Sequence, residues 1–439
     1  MLNRLSFRKI ILFLGDIILL YLSLIITLFL RFGQNFSLEN FVKHVIPFSF
    51  LYLFWLFIFF VFDLYELDLL KIGVSFTIRI LLAVSACFIV GIIFFYALPT
   101  IQPKTNLLIL TIILAGGLLL WRRNFLKLFS SFFKNRLAVI GLTEETDELV
   151  FAFKNQPYLG YTLIEVIAEE NLFNLPQTIK DSKLNTLVVG TKKLTSEKEL
   201  RKTLYNCLKY RINIIDIAQA YEIIFQKIPI KNLDYLWFLE NLQEGKKELF
   251  DKIKRIADII LASFFLLASL PFWLIITFLI KIDSRGPVFY KQKRVGKDKK
   301  VFWLLKFRSM QKEAEKNGPV WAEKKDPRVT RVGKILRKLH LDELPQMINI
   351  IKGDISLVGP RPERPIFVKR LEEQIPHYHL RHLIKPGFTG WAQIKFKYGR
   401  TVADSYDKFQ YDLYYIKNRS LMLDLIILAK TSQLFFKRD

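Results

Sequence analysis

Cysteine is almost missing from this chain. Its 439 residues hold two, Cys87 and Cys207, far apart and one of them inside an apolar run. That pattern excludes a disulfide framework and a cysteine-ligated metal site, and it fits a reducing compartment. Negative charge is also short: 40 Asp and Glu stand against 65 Lys and Arg, for a net charge of +25. Such an excess points to an anionic partner, which can be a membrane surface, a phosphorylated ligand or nucleic acid. No zinc-finger spacing and no basic coiled coil is present, so no nucleic-acid partner is expected. Apolar residues, by contrast, are abundant. A hydrophobic fraction of 52% with 40 Phe excludes a disordered basic tail, and the length accommodates roughly two to four domains.

The apolar residues are concentrated at the start. Ile10–Leu30, Val45–Phe62, Phe76–Leu98 and Asn106–Trp121 are runs of near-spanning length. No small-residue cleavage site follows the first, which reads as a retained helix rather than a signal peptide. With a cytoplasmic amino terminus, the inner flanks carry ten basic residues: Arg4, Arg8, Lys9, Lys71, Arg79, Arg122, Arg123, Lys127, Lys134 and Arg136. The outer flanks carry three, Arg31, Lys43 and Lys104. That bias puts both ends of a four-transmembrane-helix bundle, residues 1–135, on the cytoplasmic side. Asp16 lies in the first helix near its inner end, a depth that suits the interface or a neighbouring helix.

From residue 136 to 245 the pattern changes. "RLAVIGL", "YTLIEVIAEE", "NTLVVGT" and "INIIDIAQAY" read as strands of a parallel sheet, separated by amphipathic segments, which makes a Rossmann-like α/β middle domain. A dinucleotide site there requires G-x-G-x-x-G after the first strand. Gly141 runs instead into "LTEETDEL", where two glycines are missing and Glu144 and Glu145 place negative charge at the helix start. Tyr205 and Lys209 form a Tyr-x-x-x-Lys spacing, but one such match in a chain rich in both residues is weak without the glycine loop. The domain is read as a degenerate nucleotide fold.

A fifth apolar run, Ile259 to Ile280, holds 22 uncharged residues. Length alone suggests a spanning helix. Basic clusters flank it on both sides, however: Lys252, Lys254 and Arg255 before, and Lys281, Arg285, Lys291, Lys293 and Arg294 after. Spanning would export one cluster against the charge bias. A re-entrant helix, about residues 253–282, resolves the conflict, with Pro271 removing one helical hydrogen bond and Ser269 taking up freed backbone polarity. The remainder of the chain then stays cytoplasmic, within reach of lipid headgroups.

The most informative stretch is "RVTRVGKILRKLHLDELPQMINIIKGDISLVGPRPE". Between Lys324 and Lys338 stand seven Lys or Arg and one Asp, and then Asp342 and Glu343 arrive side by side, with Pro345 just beyond. The ordinary role of such a pair is to cap the helix that Pro345 opens and Lys352-Gly353 closes. A carboxylate can also attack a phosphoryl centre and hold it as an acyl phosphate. Phosphoryl transfer depends on positioning and charge neutralisation, and the cations for it are at hand in Lys306 and Arg308 of "KFRSM" and Arg361 of "GPRPE", stiffened by Pro360 and Pro362. "PHYHLRHL" brings His377, His379 and His382 together, but with no cysteine nearby they read as solvated or interfacial rather than as zinc ligands.

From Lys254 onward the chain resembles the bacterial sugar transferases, the monotopic polyprenyl-phosphate glycosyl-1-phosphate transferases. The matching pieces occur in the family's order: "KRIADIILA", "GPVFYKQKRVG", "KFRSM", the long Asp-Glu motif, "KPGFTGWAQI" and "DLYYIKNRSLMLDLIIL". The helices and degenerate nucleotide fold ahead of them match the long-form members. The resemblance implies a carboxyl-terminal α/β catalytic domain, residues 250–439, in the bacterial inner membrane. It also implies a reaction: UDP-sugar and undecaprenyl phosphate give polyprenyl-diphosphate-sugar and UMP, the first step of surface polysaccharide assembly (exopolysaccharide, capsule or O-antigen). The family uses magnesium and a covalent phosphosugar on the Asp of the pair. That makes Asp342 the nucleophile and Glu343 its positioning or metal-linked partner, both candidate magnesium ligands. Lys306, Arg308, Arg361, Pro362 and Glu363 become substrate-phosphate or nucleotide residues, and Asp424 an acid for metal binding or site structure. The helical unit and middle domain could serve a homodimer. Two rivals stand beside this reading. A membrane-tethered NAD-dependent nucleotide-sugar dehydratase or epimerase needs the missing glycine loop, and an inactive scaffold does not need the intact Asp-Glu-Leu-Pro and Gly-Pro-Arg-Pro motifs.

Overall fold

The computed structural model describes residues 4–65, 74–97, 104–132, 135–141, 143–155, 161–168, 175–190, 198–311, 314, 326–396 and 401–436. Lys71 and Lys134, two of the flanking charges, lie outside them. The chain divides into two compact units, residues 1–224 and 225–439.

The first unit opens with helices α1 (Arg4–Phe32), α2 (Leu38–Val61), α3 (Val74–Ala97) and α4 (Lys104–Phe132). Each contains a segment long and apolar enough to cross a membrane, at the places the four apolar runs predict. α1 packs along α4, α4 along α3, and α3 against α2. Leu24, Trp55, Phe59 and Leu114 are fully buried between them, while Ile18, Phe29, Leu53 and Ile112 face outward. Asp16 turns to a neighbouring helix. Arg122 of α4 donates to its Oδ1 and Oδ2 at 2.8 and 2.7 Å, and both side chains are buried. Arg122 is therefore an interior partner rather than the exposed flanking charge that the sequence suggests.

The helices lead into a four-stranded parallel sheet of order β2-β1-β3-β4. Its elements are β1 (Asn135–Ile140), α5 (Glu144–Asn155), β2 (Tyr161–Ile167), α6 (Leu175–Asp181), β3 (Thr186–Val189), α7 (Lys198–Cys207), β4 (Asn213–Asp216) and α8 (Ile217–Phe225). The strands form where the apolar runs are, with one correction. The fourth ends at Asp216, whose carboxylate accepts the Gln219 N–H at 2.7 Å and starts α8, so "IAQAY" is helix. At the start of α5, Thr143 and Thr146 bond each other reciprocally and the first turn carries Glu144, Glu145 and Asp147. The helix dipole is met by the chain's own acids. Tyr205 is 72% exposed on α7, and Lys209 lies over the Tyr210 ring.

The second unit contains α9 (Tyr235–Asn241), α10 (Glu248–Asp283), β5 (Phe289–Val295), β6 (Val301–Phe307), α11 (Arg331–Lys338), α12 (Gln346–Lys352), β7 (Ser356–Val358), α13 (Pro365–Gln374), β8 (Gly387–Thr389), α14 (Trp391–Lys395), α15 (Val402–Asn418) and α16 (Leu421–Phe436). β5 and β6 form an antiparallel hairpin and β7 and β8 a short parallel pair. The expected break at Ser269 and Pro271 is not an interruption: α10 is continuous through Pro271. Ser269 Oγ donates to the Leu266 carbonyl at 2.9 Å and accepts from Trp273 Nε1, so the hydroxyl supports the backbone beside the proline without ending the helix. Asp258, Ala262, Ser269, Ile276 and Ile280 form the buried row of α10. Both ends of the helix attach to this same unit. Near its start, Arg255 donates to the carbonyls of Ile350 and Ile351. At its end, Asp283 accepts the Val332 N–H and Arg308 donates to the Ser284 carbonyl.

Candidate active site

Asp342 and Glu343 sit in a single 3-10 turn, Leu341–Glu343, between α11 and α12. Local chemistry fixes this turn from both sides. Thr330 caps α11 by accepting the Gly333 N–H, and a Cβ on Gly333 would lie 2.0 Å from the Ser309 carbonyl oxygen. Only glycine lets α11 approach the segment after β6 this closely. His340, at φ 52°, reverses the chain after α11. Leu341 and Leu344 then pack against Ile276, Ile280, Phe307 and Leu336. On the far side α12 ends at Gly353, φ 93°, whose N–H meets the Asn349 and Ile350 carbonyls. The acids themselves do not cap α12. Pro345 occupies the N-cap position and makes no side-chain capping bond, so the ordinary role for an Asp before such a helix is not the one observed.

The two carboxylates are both buried, at 6% and 7% exposure, yet they are treated differently. Glu343 Oε1 accepts from Lys306 Nζ at 2.5 Å and from Arg361 Nη2 at 2.9 Å. Burial alone would raise the Glu343 carboxyl, but Arg361 and Lys306 override it and hold the group well below the usual carboxylate range. Asp342 has no hydrogen-bond or ion-pair partner among the described residues. Burial raises its pKa, Lys306 opposes the rise and the neighbouring Glu343 charge adds to it. Two cations hold Glu343 as an anion, and the Asp342 carboxylate beside it accepts no hydrogen bond among the described residues.

Lys306 comes from β6, and Arg361 from the loop between β7 and α13. The loop is held carbonyl by carbonyl. Pro360 O accepts from Gly387 N at 2.9 Å and Glu363 O from Val295 N at 2.9 Å. Arg361 O accepts from Arg381 Nη2 at 3.0 Å, and Pro362 O from Arg294 Nη1 at 2.7 Å. Arg381 is itself fixed by Asp412 at 2.9 Å and by Tyr378 Oη. Arg294 also bonds the Gln292 amide and pairs with Glu363 at 3.7 Å. With the backbone immobilised, the Arg361 side chain still has 39% of its surface in solvent, where an incoming anion can reach it.

Comparison with known proteins fits this geometry. Residues 249–438 match the family model described as bacterial sugar transferase. A UDP-N-acetylgalactosamine-undecaprenyl-phosphate N-acetylgalactosaminephosphotransferase from Aeromonas hydrophila is 42% identical over 236 residues, 53% of this chain and 54% of that one. An exopolysaccharide production protein PSS from Rhizobium leguminosarum is 41% identical over 186 residues, 41% of this chain and 92% of that one. A UDP-glucose:undecaprenyl-phosphate glucose-1-phosphate transferase from Escherichia coli is 31% identical over 328 residues, 71% of this chain and 68% of that one. The chain belongs to the bacterial sugar transferase family. It spans about half the length of the Aeromonas relative.

Of the site residues expected in this sugar transferase, Asp342, Glu343, Lys306 and Arg361 come together, with Pro362 and Glu363 in the loop behind Arg361. Two others are placed elsewhere. Arg308 is buried and directs its guanidinium to the carbonyls of Ser284 and Arg285, at 2.6 and 3.2 Å, closing the end of α10. Asp424 accepts from Lys254 Nζ at 2.5 Å and from Tyr415 Oη at 2.6 Å, tying the start of α10 to α16. Both therefore tie α10 to the rest of the second unit. Arg294 and Arg381 are not evident as site residues from sequence. Arg294 looks like one more flanking charge, and Arg381 stands among three histidines in "PHYHLRHL". Of these, His382 is buried, its pKa lowered to about 3 by burial and by Arg381. A hint exists in the pairing of each Arg with a rigid, proline- or glycine-rich motif whose carbonyls need donors.

Proposed function

We propose that the protein transfers a sugar-1-phosphate from a UDP-sugar to undecaprenyl phosphate, through a phosphosugar carried on Asp342. The observation that carries this reading is the uneven treatment of the adjacent acids. An Asp342 carboxylate oxygen attacks the sugar-bearing phosphorus of the UDP-sugar, the bond to the bridging oxygen breaks, and UMP leaves with that electron pair. A phosphate oxygen of the polyprenyl phosphate then attacks the same phosphorus and releases the Asp342 carboxylate. Glu343 keeps Lys306 and Arg361 in place, and these cations offset the charge of the diphosphate.

The donor set also fits magnesium. Oε1 of Glu343 takes both cations, which leaves its second oxygen and the partnerless Asp342 carboxylate. Magnesium is held by one or two carboxylates, with substrate phosphates and water completing its shell. Asp342 and Glu343 are the residues that would hold it, and it would supply charge neutralisation on the diphosphate.

The same reading extends to architecture. The four amino-terminal helices form a membrane bundle in the bacterial inner membrane with cytoplasmic ends, as their flanking charge favours. They are followed by a Rossmann-like domain and the catalytic domain, and the first two are the surfaces on which a homodimer would form. α10 is membrane-seated without crossing: 36 helical residues extend about 54 Å, yet both ends pack on the catalytic unit. A spanning helix would carry one end to the far side.

The test is direct. Detergent-purified protein is incubated with magnesium and a panel of UDP-hexoses and UDP-N-acetylhexosamines, first alone and then with undecaprenyl phosphate. A stoichiometric burst of UMP is expected from donor alone, with turnover once acceptor is added. No UMP with any donor sinks the reaction, and undiminished turnover in Asp342→Asn sinks the covalent route.

A further inference from the structure

The β5–β6 hairpin has two faces of opposite character. Alternation places Gln292, Arg294 and Lys306 on the face that builds the active site. The other face receives Phe289, Lys291, Lys293, Val301, Trp303 and Leu305, with Val295 and Phe307 on the same face buried at opposite ends of the ribbon. Phe289, Val301 and Trp303 are 43%, 54% and 53% exposed. Lys293 stands opposite Trp303 in the register, its ammonium 5.2 Å from the ring centroid. Large apolar side chains displayed together on one ribbon face mark a contact surface.

The occupant is indicated by what adjoins this face. Trp273 of α10 lies against Phe289 and Phe307, with ring centroids 5.8 and 5.1 Å away. Its helix neighbours Phe272, Leu274, Ile275 and Phe278 are 59%, 78%, 58% and 66% exposed. The apolar surface of α10 therefore continues onto the outer face of the hairpin. There its composition changes from purely aliphatic and Phe to Trp with Lys, the mixture that occupies the headgroup boundary of a bilayer. Lys stems lie along apolar surface while the ammonium reaches phosphate.

We propose that the outer face of this hairpin rests on the anionic headgroup layer and sets the height of the active site above the membrane. The inference rests on α10 being membrane-seated. Because the inner face of the same ribbon carries Lys306, the height of the Glu343–Lys306 pair is set by the thickness of one sheet layer, roughly 10 Å. A phosphate carried on a membrane-anchored isoprenoid then reaches Asp342 without leaving the bilayer.

Full-length protein in phosphatidylglycerol-containing nanodiscs provides the test. Nitroxides are placed singly at Trp303→Cys, at Leu267→Cys on the exposed side of α10, and at Lys369→Cys on α13. The native Cys87 and Cys207 are buried and add little labelling background. Collision with oxygen should exceed collision with a water-soluble nickel chelate at 303 and 267, and the order should reverse at 369. A label at 303 that behaves like 369 while 267 is in lipid overturns the hairpin contact alone, whereas aqueous behaviour at both also overturns the seating of α10. A label at 303 shielded from both reagents means a protein covers this face, and the proposal fails. Independently of folding at position 303, Lys291→Glu with Lys293→Glu should raise the KM for undecaprenyl phosphate in anionic vesicles at least about tenfold. UMP release from donor alone should stay unchanged, and an unaltered KM overturns the proposal.

Discussion

Two buried acidic sites, one in each unit, show how the same side chains serve structure or chemistry. Removing a carboxylate from water costs several kcal/mol unless a partner restores the lost interactions. In the first unit Asp16 meets this demand completely, because Arg122 covers both oxygens and both side chains are sealed from solvent. In the second unit, two acids share two cations unequally. Glu343 takes both Lys306 and Arg361 on one oxygen, and Asp342 takes neither. The closed pair engages both oxygens of its carboxylate, whereas the uneven one leaves the buried Asp342 carboxylate without a hydrogen-bonded cation among the described residues, beside a fixed anchor. On the reading proposed above, reactivity comes from the distribution of partners rather than from the presence of acids.

The largest effect should come from upsetting that distribution. In Glu343→Gln the anchor loses its charge, and Lys306 and Arg361 become available to Asp342. On the mechanism proposed above, both cations then neutralise the Asp342 carboxylate, and UMP release should fall about 10²- to 10³-fold. A variant with near wild-type turnover would mean that Glu343 is structural only. The pH dependence sharpens the same contrast. In the proposed reaction Asp342 must be ionised to attack, and burial raises its pKa. The acid limb of the rate profile should therefore lie above the range of an ordinary Asp, about 3.9, and move to lower pH in Glu343→Gln. Glu343 itself is depressed, so its contribution to stability is present above the ordinary Glu value of about 4.3. It is lost only as the pH falls through its lower folded value, which acid melts of wild type and Glu343→Gln would resolve.

Much of this is legible in the residues. The four amino-terminal helices follow from apolar runs of spanning length, and the strands of the parallel sheet from short β-branched runs between amphipathic segments. Asp342, Glu343, Lys306 and Arg361 are all visible as motif residues. Arg308 is misplaced by sequence reasoning because its partners are backbone carbonyls at the end of a helix more than twenty residues earlier, and carbonyls carry no sequence signature. The capping role expected for Asp342 fails because the 3-10 turn moves the N-cap to Pro345. Arg122 passes for a flanking charge because a bidentate partner 106 residues away can be seen only once α1 and α4 are side by side.

A smaller effect is expected behind the Asp342–Glu343 pair. Arg381 donates to Tyr378, Asp412 and the Arg361 carbonyl together, which a planar guanidinium can do and an ammonium cannot. Arg381→Lys keeps the charge opposite Asp412 but lets the Arg361 backbone relax. The KM for the UDP-sugar should rise about tenfold, one charge-assisted hydrogen bond's worth, with a lesser change in kcat. An unchanged KM with a lowered melting temperature would reduce Arg381 to a packing residue.

The smallest catalytic effect should belong to the closed pair. Arg122→Met leaves the Asp16 carboxylate uncompensated among apolar helices, and a broken buried pair costs about 3–5 kcal/mol. The folded yield and melting temperature should drop sharply, while UMP release per folded molecule stays at the wild-type level. Replacing both partners, Asp16→Leu with Arg122→Met, removes the stranded charge and should recover most of the stability, since a buried ion pair can be exchanged for well-packed apolar residues. The corresponding exchange at Asp342 and Glu343 has no such rescue. On the mechanism proposed above, an apolar pair there would transfer nothing however well it folded, because it offers no carboxylate to attack the phosphorus.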